Sequence, residues 1–90
     1  MKKLNKKEKF VIREIAGDYI MMPVGGTAQK FSGLIMANEV SAFIWENIDK
    51  VDSLEELTKL ICKEFVVDYK EAFTDTKELV EQMKVAGWIE

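Results

Sequence analysis

The sequence predicts an α+β domain, a three-stranded antiparallel sheet followed by three helices. Two observations lead there. Short β-branched and apolar segments occupy the chain up to Ala37, and segments with helical apolar spacing, each opened by a capping residue, occupy the rest. Runs of strands followed by runs of helices build α+β folds. Ninety residues, 48% of them hydrophobic, suffice for one domain around one small core.

Phe10–Ala16 (FVIREIA) is rich in β-branched residues and reads as the first strand. Gly17-Asp18 suits a two-residue hairpin turn, and Tyr19–Val24 returns as the second strand. Pro23 has no N–H for a ladder, so it belongs at a strand end or outer edge. Gly25–Ser32 reads as a polar, mobile loop. Gly33–Ala37 (GLIMA) reads as a third short strand. Asn38 then caps a first helix reaching to about Asp49, with Val40, Phe43, Ile44 and Ile48 as its buried stripe and Trp45 beside it. Ser53-Leu54-Glu55-Glu56 is a capping box that opens a second helix ending near Glu64 or Phe65. Phe65-Val66-Val67 is a short apolar connector. Asp68 caps a third helix that runs to about Ala86, where Gly87 is suited to end it. Its apolar stripe is Tyr69, Ala72, Phe73, Leu79, Val80 and Met83, with Thr76 in line. Trp88-Ile89 is expected to pack back on the core.

The residues absent from the chain restrict its chemistry. There is no histidine, and Cys62 is the single cysteine. The commonest general base is therefore missing, and so is a zinc or iron–sulfur ligand set. Gly25-Gly26 lacks the later glycine and lysine of a phosphate loop, and the acidic residues form no calcium loop. The expectation is a binding module, not an enzyme, with no cofactor and no metal. The apolar stretch after the basic start is broken by Arg13, Glu14 and Asp18, so no secretory signal is expected. No run approaches a membrane span. A cytoplasmic protein is expected.

Charge is unevenly distributed. Residues 1–9 carry five lysines and one glutamate, and read as a flexible basic tail ahead of a domain over 10–90. The rest of the chain is acidic.

The ordered set of these features resembles the PqqD family, the peptide chaperones of pyrroloquinoline quinone biosynthesis. Its anchors are Arg13-Glu14, Asn38, Ile44-Trp45, Ser53-Leu54-Glu55-Glu56-Leu57, Phe65-Val66-Val67-Asp68, Glu71, Asp75 and Ala86-Gly87-Trp88-Ile89. Two positions depart from the usual pattern: Ala37, where leucine is frequent, and Ser41, where glycine or another small residue is. The resemblance implies a winged helix-turn-helix-like domain without chemistry of its own. It implies that the leader of a ribosomally made precursor peptide binds as an added strand along the third strand, walled by the third helix. It implies delivery to a modifying enzyme, often a radical S-adenosylmethionine maturase.

On that reading Gly33, Leu34, Ile35, Met36 and Ala37 offer the edge. This segment has no lysine or proline to blunt it. Asp75, Leu79 and Gln82 are expected to face the groove, with Thr76 and Met83 at its floor. Lys70, Lys77 and Lys84 recur on one side of that helix, and Glu71, Asp75, Glu78 and Gln82 on the other. Winged-helix DNA binding is the competing reading, but from Asn38 to Glu90 six lysines stand against thirteen carboxylates. Phosphate neutralisation needs the opposite balance, so no nucleic-acid partner is expected. A generic protein–protein adaptor explains the same surface without a precursor peptide. An exposed edge can also pair with itself and give a homodimer.

Overall fold

A computed structural model describes residues 4–31, 33 and 35–90. In chain order the elements are β1 (Phe10–Ile15), β2 (Asp18–Pro23), α1 (Gly26–Lys30), β3 (Ile35–Ala37), α2 (Glu39–Asn47), α3 (Leu54–Glu64) and α4 (Tyr69–Val85). The three strands form one antiparallel sheet in the order β1-β2-β3. The architecture is the α+β arrangement expected, with one short helix added between β2 and β3.

The hairpin turn falls one residue earlier than expected. Ile15 pairs with Asp18, which leaves Ala16-Gly17 as the two-residue loop, at φ 53° and 87°. Tight hairpins of this kind need positive φ at both central residues, so that the turn's twist matches the strands. Gly17 adopts it freely, whereas Ala16 carries a cost of about 1–2 kcal/mol. Arg13, Glu14 and Ile15 project with Asp18 beyond the core as an exposed wing. Pro23 closes β2 opposite Phe10, at a strand end where its missing N–H does least harm.

Each main helix starts at its expected cap. Asn38 Oδ1 accepts from Ser41 N at 2.8 Å, Ser53 Oγ from Glu56 N at 3.1 Å, and Asp68 Oδ2 from Glu71 N at 3.3 Å. Glu56 Oε2 in turn accepts from Asp52 N at 2.9 Å, one residue ahead of the cap. At the far end of α4, Gly87 takes φ 81°, Gly87 N donates to Lys84 O, and Trp88 N donates to Met83 O. This pair of bonds closes the helix in a Schellman motif. The core between sheet and helices joins Met21 of β2 with Ile44, Trp45, Ile48, Leu57, Ile61, Val80 and Met83, all buried. Tyr69 departs from its expected place in the stripe. It is 43% exposed and stacks on Phe73 at the surface. Among the described residues no helix is long and apolar enough to cross a membrane.

Two segments differ from the sequence expectation. Residues 4–9 are not a loose tail; residues 1–3 lie outside the described ones. Leu4 is buried, Lys6 bridges to Ile89, and Lys7 N donates to Trp88 O at 2.8 Å. Lys6 also sits 4.9 Å above the Trp45 ring and 3.5 Å from Asp49. The lysine count argues for solvation, yet the backbone of this strap pairs with the C-terminal segment. The second difference is α1, which replaces the expected loop. Its Thr27 is 4% exposed, accepts from Lys9 N at 2.7 Å and donates to Glu8 Oε1 at 2.8 Å. Lys30 Nζ reaches Glu8 Oε2 at 3.0 Å. A buried carboxylate is tolerable only when partnered in this way, and Glu8 thereby ties the strap to α1.

The hydrogen bond from Lys30, then that from Thr27, holds the Glu8 carboxyl below the ordinary glutamate range. A carboxylate lowered in the folded state adds stability that is fully present above its unfolded pKa. That stability disappears as pH falls through the folded value. In urea unfolding across a pH series, wild type is expected to lose more stability on acidification than Glu8→Gln. Parallel curves for the two proteins would show that the lock contributes nothing.

Candidate functional site

β3 lies at one edge of the sheet. One side pairs with β2, through Tyr19↔Ala37, Ile20↔Met36 and Met21↔Ile35. Among the described residues no strand pairs with its other side. Its backbone N–H and C=O groups on that side are open to another chain.

A groove follows that edge in two stretches. The first, about 330 Å³, lies between β3 and the C-terminal half of α4. Ile35, Met36 and Ala37 line one side, and Leu79, Gln82, Met83 and Ala86 the other, with Met21 and Trp88 completing the apolar lining. The second, about 600 Å³, continues towards the start of α4. Asn38, Val40 and Ser41 come from the start of α2, and Val66, Val67 and Asp68 from the α3–α4 connector. α4 contributes Glu71, Asp75, Glu78 and Gln82. Ser41, Leu79 and Gln82 line both stretches, which therefore adjoin there.

The local sequence explains why these side chains converge. Residues three, four and seven apart share a helix face, so Glu71, Asp75, Glu78 and Gln82 form one row along α4. Ala72, Thr76, Val80 and Met83 turn towards the core and are buried. Lys70, Lys77 and Lys84 do not line either stretch. The ion pairs among the described residues are Lys6–Asp49 and Lys30–Glu8, so the groove carboxylates have no salt-bridge partner there. Acidity extends to the neighbouring strand. Partial burial, reinforced by Glu14, Glu39 and Glu46, pushes the Tyr19 phenol above its ordinary range.

Of the residues singled out from sequence, Ile35, Met36, Ala37, Leu79, Gln82 and Met83 line the first stretch. Asp75 and Thr76 line the second, with Thr76 1% exposed beneath it. Gly33 is exposed at φ 85° and lines neither stretch. Leu34 lies outside the described residues. Sequence reasoning missed Val66 and Val67, read as a plain connector, and the contribution of Asn38, Val40 and Ser41. The signal for the valines was there: two consecutive apolar residues beside a cap, outside any helical stripe. They are 106% and 43% exposed.

The family model for coenzyme PQQ synthesis protein D (PqqD) matches residues 18–89. Among solved structures, TbiB1 in complex with the TbiA(beta) leader peptide is similar, with a TM-score of 0.66 and 18% identity. The match covers 100% of this chain and 95% of that one. Lasso peptide synthetase B1 complexed with the leader peptide gives a TM-score of 0.67 at 14% identity, covering 98% of each chain. No curated protein matches the sequence. At these identities the structural likeness speaks for the fold.

Groove wall and core support can be separated by mutation. Met36 is 66% exposed and Met83 3%. Met36→Ser is expected to change stability by no more than about 0.5 kcal/mol. Met83→Ala is expected to cost about 2–5 kcal/mol by leaving a cavity beneath the groove. Chemical denaturation of both variants checks this, and equal losses would mean that Met36 is core.

Proposed function

Because the chain belongs to the PqqD family, we propose that it is a non-catalytic peptide chaperone. It binds the leader of a ribosomally made precursor peptide by strand addition and presents it to a modifying enzyme, such as a radical S-adenosylmethionine maturase. The observation that carries this reading is the side of β3 that pairs with no strand among the described residues and faces two adjoining stretches of groove. An extended peptide laid there gains main-chain hydrogen bonds from the strand, and its alternate side chains meet α4. The two solved structures named above are leader-peptide complexes, which supports the choice of ligand. The peptide contacts on this reading are Gly33, Leu34, Ile35, Met36, Ala37, Asp75, Thr76, Leu79, Gln82 and Met83.

The absence of histidine from the sequence and its single cysteine favour recognition over catalysis. The modifying enzyme then supplies the chemistry, and the site of action is the cytoplasm, where precursor and enzyme meet. The same open edge is also where two empty copies would pair, so peptide binding and homodimerisation compete for it.

The test is an amide NMR titration with synthetic leader peptides of ribosomally made precursors. Shifts are expected at Ile35–Asn38 and along the groove side of residues 71–86. Gln82 is exposed where the two stretches meet. Gln82→Trp is expected to leave circular dichroism unchanged and weaken binding on the order of tenfold by filling the groove. Shifts confined to β1 or to the Lys70–Lys77–Lys84 face would overturn the assignment of the groove.

A further inference from the structure

We propose that the peptide this groove takes is a cationic one: a lysine or arginine set about four residues from an apolar anchor. This rests on the strand-addition reading above and specifies which peptides satisfy it.

The two stretches of the groove differ in chemistry. The stretch beside β3 is walled by Ile35, Met36, Ala37, Met83 and Ala86, and suits an apolar side chain. The stretch beside the start of α4 is lined by Asp68, Glu71, Asp75 and Glu78, and by no lysine or arginine. Asp68 is engaged as a helix cap, which leaves Glu71, Asp75 and Glu78 as a row of carboxylates without an ion-pair partner among the described residues. Val66 and Val67 lie exposed in the same stretch. An apolar wall beside a carboxylate row complements a long aliphatic stem with a positive head, and neither a small cation nor an acidic side chain fits both parts. The lysines of α4 stay off this side, so nothing in the groove lining offsets its negative field.

The spacing follows from geometry. Met83, at the apolar end, and Asp75, central to the carboxylates, are eight residues apart on α4, or about 12 Å along its axis. An extended peptide covers that in about four residues, at about 3.3 Å each. An even spacing keeps both side chains on the same face of the added strand.

The probe is a display library of random peptides, each about twelve residues long so as to exceed the roughly 27 Å of α4 between Asp68 and Ala86. It is selected on the full chain and, in parallel, on the Glu71→Gln/Asp75→Asn/Glu78→Gln variant. The wild-type pool is expected to show lysine or arginine about four positions from an apolar residue. The variant pool is expected to keep the apolar residue and lose the basic one. For the best wild-type peptide, the triple variant is expected to weaken binding about tenfold at low salt and less at high salt, and Asp75→Asn alone a few-fold. The Lys70→Gln/Lys77→Gln/Lys84→Gln variant is expected to bind it at least as well as wild type. A wild-type pool with an apolar residue but no basic preference would overturn the cationic assignment and leave strand capture standing. If neither protein enriches any peptide, both the cationic assignment and strand capture are overturned.

Discussion

Gly87 takes φ 81°, and the turn it makes carries Trp88 from the end of α4 into the rings of Phe10 and Trp45. The centroids lie 4.7 Å from Phe10 and 6.1 Å from Trp45, and Phe31 closes the cluster from the end of α1. Four separate parts of the chain meet on this one side chain: β1, α1, α2 and the C-terminus. Such aromatic contacts combine large buried area with preferred ring geometry. Trp88 also borders the apolar end of the groove. The position of α4 relative to the sheet, and so the width of the groove, depends on this anchor.

The N-terminal strap reinforces the same point from outside. Lys7 N donates to the Trp88 carbonyl, Asn5 and Glu90 exchange backbone bonds, and Glu8 fastens the strap to Thr27 and Lys30 of α1. α1 leads within a few residues to β3. A strand of three residues has little stability of its own; it is held by Met21 and Ile20 of β2 on one side and by its neighbours in sequence. An edge this short is also a weak template for aggregation, and α4 lies across the groove from it. Brevity and a neighbouring helix let the domain keep an open edge without inviting indiscriminate pairing.

The helical half was legible in the sequence because caps and periodicity act locally. Asn38, Ser53 and Asp68 bond to N–H groups three residues away, and Gly87 ends α4 by a conformation that only its own backbone must adopt. What escaped depends on distant partners. Nothing near Lys6 or Glu8 announces that Ile89 and Thr27 will pair with them. The lysine-rich composition argues for solvent, and long-range pairing wins. α1 is five residues with glycine first, too short for periodicity to register, and its buried Thr27 is explained by Glu8 rather than by its neighbours. The hairpin shifted by one residue because strand register, not the glycine alone, chose which pair would take positive φ. For the groove, the family resemblance placed one wall on the last helix, and helical spacing then chose Asp75, Leu79 and Gln82 to face it. The contributions of Val66 and Val67 needed the third dimension.

A peptide added to β3 would owe little of its selectivity to the strand itself. Main-chain hydrogen bonds contribute about 0.5–1.5 kcal/mol net apiece and are nearly blind to sequence. Three residues of edge permit only a few of them, and ordering an extended peptide opposes much of that gain. Discrimination must therefore come from the groove, where α4 sets an apolar stretch and a carboxylate row one after the other along a single face. A wrong peptide meets an unfilled apolar wall or a like charge, and exclusion of this kind sharpens specificity without requiring tight binding. On the proposed handover to an enzyme, modest affinity with a sharp side-chain preference is the more useful combination, since release follows recognition.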